Sequence, residues 1–181
     1  DLASSGSIQE SCVQLGRAVE LFRDGGDPED LGQALKQSAG SLLLAGQASR
    51  AEEAYAEAAR LAGSRGRSIE QALLVGMRAR ALADLGRLAE AARLYRDSLP
   101  ILEESGEDLR AHAGHSDLGT VLMRQGRYAE AEREMDAAAR YFEEAGPPDM
   151  ALNCRLNRAG LDLERGRYAE AAATLRACLV G

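Results

Sequence analysis

The sequence predicts an all-α fold, a row of about nine antiparallel helices, on three observations. Glycine recurs at a constant spacing of 20 residues, at Gly6, Gly26, Gly46, Gly66, Gly86, Gly106, Gly126, Gly146 and Gly166. The segments between these glycines are rich in Ala, Leu, Glu and Arg, with apolar residues at helical intervals. Hydrophobic residues make up 45% of the 181-residue chain but aromatics only 4%, with no tryptophan, so the core has to be built from Ala and Leu. Alanine has the highest helix propensity and lets backbones approach closely, and the β-branched residues that favour strands are sparse.

Each segment between glycines is long enough for one helix of roughly 17 residues, about 25 Å at 1.5 Å per residue. The glycine after it can adopt the left-handed conformation that ends a helix and reverses the chain, and such short turns make neighbouring helices antiparallel. The predicted order is a lone helix over about 7–23, then hairpins over about 29–64, 68–104, 107–144 and 148–180, read as one solenoid across 1–181. Pro28 and Pro148 fall at helix starts, where proline is tolerated. Pro100 falls inside the fifth helix, where it removes one backbone hydrogen bond and predicts a kink.

Two kinds of turn alternate, which doubles the true period to 40 residues. Gly86-Arg87-Leu88-Ala89-Glu90-Ala91, Gly126-Arg127-Tyr128-Ala129-Glu130-Ala131 and Gly166-Arg167-Tyr168-Ala169-Glu170-Ala171 are near-copies of one another. Gly46-Gln47-Ala48-Ser49-Arg50-Ala51 is a weaker copy, and Gly6-Ser7-Ile8 opens a more divergent one. Seven residues after the last alanine of these motifs come Ala58, Ser98, Ala138 and Cys178, with Tyr55, Tyr95, Met135 and Leu175 between.

This pattern, with Leu118-Gly119 and Leu122 in a preceding helix, resembles the tetratricopeptide repeat. The family's tryptophan-like position is occupied here by Leu35, Val75, His115 and Arg155, so the second-helix motif carries most of the likeness. The 40-residue period is similar to that of kinesin light chains and of bacterial signalling and regulatory proteins. The resemblance implies a right-handed α-solenoid in which each repeat buries its neighbour's apolar face. It also implies a protein-interaction role, with the partner in a concave groove lined by the first helix of each pair. The residues expected on that face are Lys36, Arg80, Asp84, Thr120, Arg124, Asn153 and Asn157. Asparagine can bond both donor and acceptor of a peptide backbone, and arginine can hold carboxylates. The basic clamp with which some family members hold an acidic tail is not expected, because Gly40 stands where that clamp needs asparagine.

Charge and chemistry narrow the function further. The formal net charge is -7, which argues against a general nucleic-acid or anionic-membrane binder, since those need positive potential. Cys12, Cys154 and Cys178 form no CxxC pair, which suits a reducing, cytoplasmic setting and small core roles. The one histidine cluster, His112 and His115 with Asp117, has metal-compatible spacing but no evident third ligand, so a structural role is expected and no metal or cofactor. No acyl-transfer or phosphate-binding motif is present, so no catalysis is expected. The resemblance therefore implies a protein or peptide partner, with the chain expected to be a sensor or scaffold within a regulatory protein. A substrate-presenting accessory domain of a larger enzyme is the alternative. The bare apolar face of the last helix, at Leu175, Leu179 and Val180, predicts either further repeats in a longer protein or homo-oligomers through the ends.

Overall fold

A computed structural model describes residues 2–180, with side chains described for residues 7–179, so the expected apolar contribution of Val180 lies outside them. Nine helices and no strand are found among the described residues: α1 Leu2–Arg23, α2 Pro28–Leu44, α3 Ala48–Ser64, α4 Ser68–Asp84, α5 Leu88–Glu104, α6 Asp108–Arg124, α7 Tyr128–Glu144, α8 Pro148–Glu164 and α9 Tyr168–Val180. Seven of them, α2 to α8, are 17 residues long, as a 20-residue meter with three-residue turns requires.

The turns come in two forms with different uses for glycine. Gly46, Gly66, Gly86, Gly106, Gly126 and Gly166 all have φ between 70° and 77°. Each donates its N–H back to a carbonyl three residues earlier while the next residue donates to one five earlier, as in Gly126 to Met123 at 2.9 Å and Arg127 to Leu122 at 2.9 Å. These paired bonds satisfy the last carbonyls of the helix, and the left-handed residue they enclose favours glycine. Gly26 and Gly146 are different. A Cβ added there would fall 2.7 Å from the Cα of Phe22 or of Phe142, so close approach is the reason for glycine. The helices after these two turns open with Pro28 and Pro148, and Asp27 caps α2 by accepting from the Glu29 N–H at 2.7 Å.

One turn assignment is corrected. Gly6 does not reverse the chain but lies inside α1, which begins at Leu2. A single glycine costs a helix only about 1 kcal/mol relative to alanine, and no proline stands nearby to stop it. α5 continues through Pro100, which is exposed.

The chain divides into two compact units, Asp1–Ile101 and Leu102–Gly181. In the first, α1, α2, α3 and α4 pack each on the next, around Leu35, Ala39, Leu42, Ala51, Tyr55 and Ala58. In the second, α6, α7, α8 and α9 do the same, and α6 also touches α8. Its fully buried large side chains include Phe142, Leu118, Leu122, Met135 and Leu161. The small positions of the repeat lie wholly in the core: Ala51, Ala91, Ala131 and Ala171 are all 0% exposed. A Cβ at Gly119 would sit 2.6 Å from Met135 Cγ and 3.2 Å from the Ala131 carbonyl oxygen, so the glycine of that helix makes room for a methionine.

Two glycines offer a matched test. Gly126→Ala forces a left-handed alanine and lowers stability by about 1–2 kcal/mol. Gly160→Ala, on a helix with nothing within 4 Å of the new methyl, raises it by about 0.4–1 kcal/mol. Urea denaturation of the two variants checks both signs; a loss at both positions would contradict the turn geometry.

Candidate functional site

The first helix of each hairpin carries the expected residues, and each unit presents its own set. In the first unit Lys36 is half-buried on α2, while Arg80 and Asp84 are exposed on α4. Tyr55, reaching across from α3, lies between these helices. Its hydroxyl is 3.7 Å from where a Cβ at Gly40 would be. Burial pushes the Tyr55 phenol above its usual range, and the charge of Arg80 pulls the other way. Gly40 on α2 thus borders this phenol, and the charge of Arg80 on α4 acts on it. Leu44 and Met77 are exposed on these helices.

In the second unit the sets on α6 and α8 meet at Ser116. Asn157 donates an amide N–H to the Ser116 hydroxyl at 3.1 Å, and the Cys154 thiol lies 3.7 Å from the same oxygen. Thr120 donates its hydroxyl to the Ser116 carbonyl at 3.1 Å, within its own helix. Asn153 is exposed one turn before Asn157, and Arg124 is exposed at the end of α6. Leu152 and Leu156 are 36% and 41% exposed on the same side of α8, interleaved with the asparagines. Small polar groups, amides and open leucines therefore share one surface, which suits a peptide with both backbone and apolar side chains to offer.

Two features here, the reach of Tyr55 and the exposure of Leu152 beside the expected Leu156, are not read from the sequence. Nothing local marks Tyr55 as reaching Gly40, because its hydroxyl crosses to another helix. The four-residue spacing of Leu152 and Leu156 does carry a signal, since i and i+4 share a helix face.

The titratable side chains that could suggest chemistry are engaged structurally. His115, 17% exposed in its side chain, has Nδ1 2.7 Å from Glu134 Oε2 and Nε2 2.8 Å from Glu103 Oε1. His112 stacks on Tyr141 with ring centroids 4.1 Å apart. Burial raises the Cys154 thiol above its ordinary value, which leaves it protonated and a poor nucleophile. Among the described residues, no group of three His, Cys, Asp or Glu side chains is placed to hold a metal ion, and no helix is long and apolar enough to cross a membrane.

Two family models, both of the tetratricopeptide repeat, match residues 72–97 and 110–179. No curated protein matches the sequence. Similar solved structures include the nearly identical TPR-like repeats assigned to a kinesin light chain of Podosopora anserina, at 18% identity and a TM-score of 0.79, covering 97% of this chain and 86% of that one. BtubC (BKLC) from P. vanneervenii aligns at 16% identity and a TM-score of 0.80, over 97% and 73% of the two chains. A Signal Transduction ATPase with Numerous Domains from Pyrococcus horikoshii, which has a tetratricopeptide repeat sensor, aligns at 17% identity and a TM-score of 0.75. That match covers 96% of this chain and 27% of the other. At these identities the structures establish a shared TPR-like solenoid fold.

Proposed function

The chain belongs to the tetratricopeptide repeat family, and from that premise we propose that it is a protein-interaction module. Its partner offers a peptide segment to the exposed faces of the first helices, α2 and α4 in one unit and α6 and α8 in the other. One observation carries this reading: Leu152, Asn153 and Leu156 stand open together on α8, whereas the corresponding stripe of α7 puts Ala131, Met135, Ala138 and Phe142 into the core. On α8 apolar as well as polar side chains turn outward, whereas the apolar residues of that α7 stripe are committed to packing.

Arg80 and Arg124 supply positive charge for acidic side chains or a terminal carboxylate, and Asn153 and Asn157 supply amides for a peptide backbone. In this reading the module binds and does not catalyse. Its place in a larger regulator, as a sensor or scaffold, draws on the archaeal ATPase whose tetratricopeptide repeats form a sensor.

The test uses a random peptide display library selected on the immobilised chain, followed by titration of the selected peptides. The triple variant Arg80→Ala, Arg124→Ala, Asn157→Ala is expected to weaken their binding at least tenfold. Circular dichroism establishes that the variant remains folded. Equal affinity for the folded variant and the wild type would sink the assignment of these faces.

A further inference from the structure

We infer that His112 and His115, one turn apart on α6, form a pH-sensitive latch whose closed state requires a positively charged His115. The inference rests on hydrogen-bond chemistry. Both ring nitrogens of His115 lie within 2.8 Å of a carboxylate oxygen, Glu134 from α7 on Nδ1 and Glu103 from the last turn of α5 on Nε2. A neutral imidazole has one N–H and one bare lone pair, so it can donate to only one of two ionised carboxylates. The arrangement is complete only as an imidazolium, which donates to both and ties the last turn of α5 to α6 and α7. On deprotonation one nitrogen presents a lone pair to a carboxylate, and that arm of the latch opens.

His112 has the opposite preference. Its Nδ1 is buried without a hydrogen-bond partner and its ring lies flat on Tyr141. Protonating it buries an unpaired N–H beside an already charged His115, whose ring centroid is 5.8 Å away. The groups acting on the pair are Glu103 from α5, Asp108 on α6, and Glu134 with the stacked Tyr141 from α7. The Glu134 hydrogen bond, followed by that of Glu103, holds His115 above its usual value of 6.5 against the cost of burial. Burial, then the His115 charge, holds His112 below 6.5, with Asp108 and Glu103 opposing.

The two residues therefore give stability opposite slopes in pH. The His115 contribution is fully present below about 6.5 and is lost as pH rises through its raised folded value. The His112 contribution is present above about 6.5 and is lost as pH falls through its lowered folded value. The pair thus sets a stability maximum near pH 6.5, and alkalinisation releases Glu103 or Glu134 from α6.

These are the chain's two histidines, so His112→Gln leaves one imidazole signal to follow by proton NMR. That signal is expected to titrate with a midpoint above 6.5, and Glu103→Gln in the same background is expected to move the midpoint down. A midpoint at or below 6.5, or one that Glu103→Gln does not move, would overturn the latch. Thermal melting from pH 5.5 to 8.5 gives the second readout. Wild type is expected to lose Tm above pH 6.5, and His115→Gln to remove that slope; persistence of the slope in His115→Gln would equally overturn it. Should His115→Gln not fold, the NMR titration of the other two variants decides alone.

Discussion

Phe142→Ala should cost the second unit about 3–5 kcal/mol, the range for emptying a packed aromatic site. Phe142 is 2% exposed and packs in a cluster with Ala138, Ala151 and Cys154. Its ring also meets Tyr141 edge-on at 5.3 Å and His112 at 6.5 Å. Little can collapse into the space it leaves. Ala138 and Ala151 have only methyl groups to offer, and the backbone of Gly146 is fixed by the turn, with its N–H on the Phe142 carbonyl at 3.2 Å. A domain of this size has roughly 5–15 kcal/mol in all, so the loss removes a large share of it. Guanidinium denaturation followed by circular dichroism measures the change. A loss under about 1 kcal/mol would mean that the aromatic is not the keystone of that core.

Arg158→Ala is the second large effect, about 2–4 kcal/mol, and its origin is electrostatic. Arg158 on α8 bonds Glu132 at 2.7 Å and Asp136 at 2.9 Å, both on α7, and Asp162 on its own helix at 2.6 Å. Arg165 and Arg167 from the following turn also reach Glu132, and Arg167 reaches Asp162 at 2.6 Å. The Asp162 side chain is 7% exposed. Removing Arg158 leaves that buried carboxylate with one cation instead of two, and an underpaired buried charge is what makes such deletions costly. Arg93 and Asp97 form the contrast: both are more than half exposed and 3.6 Å apart. Asp97→Asn should change stability by less than about 0.5 kcal/mol.

The same network fixes a direction in pH. Burial works against ionisation of Glu132, but its hydrogen bonds to Arg165 and Arg167 and the charges of Arg158 and Arg167 outweigh it and hold its carboxyl below the usual range. Its contribution is present above the unfolded carboxyl value near 4.5 and is lost as pH falls through the lowered folded value. Arg158→Ala should flatten that acid limb as well as lower the plateau, and melting curves collected down to pH 3 read both.

The fold was legible because its determinants are local and repeated. Gly86, Gly126 and Gly166 end their helices by a backbone conformation that the residue type itself signals, and the small Ala91, Ala131 and Ala171 mark fully buried positions. Gly6 misled because the meter alone does not turn a chain. It needs a helix end to cap, and α1 has none there. Gly26 and Gly146 keep the same meter for another reason, their approach to Phe22 and Phe142, which spacing cannot distinguish from a left-handed turn.

Side-chain partnerships were legible only where the repeat echoes them. Glu52 pairs with Arg78, and Glu132 with Arg158, each 26 residues on. That recurrence, two periods apart, is a signal a longer-range reading could have used. The clamp on His115 has no such echo. Glu103 lies 12 residues before it and Glu134 19 after, and the equivalent positions are Leu35, Val75 and Arg155. Of the residues expected on the first helices, Arg80, Asp84, Arg124 and Asn153 are exposed, whereas Thr120 and Asn157 direct hydrogen bonds to Ser116. Bonds that cross between helices, such as the one from Asn157, depend on how neighbouring rods rotate against each other, which a one-dimensional pattern does not encode.

In the proposed function, partners are taken by the outward faces of the first helices. Hydrogen exchange of the chain with and without a display-selected peptide tests it at residue level. Slowed exchange is expected in α2, α4, α6 or α8, around Arg80 or Asn157, with α3 and α7 unchanged. Protection confined to the second helices, or to the apolar end at Leu179, would contradict it.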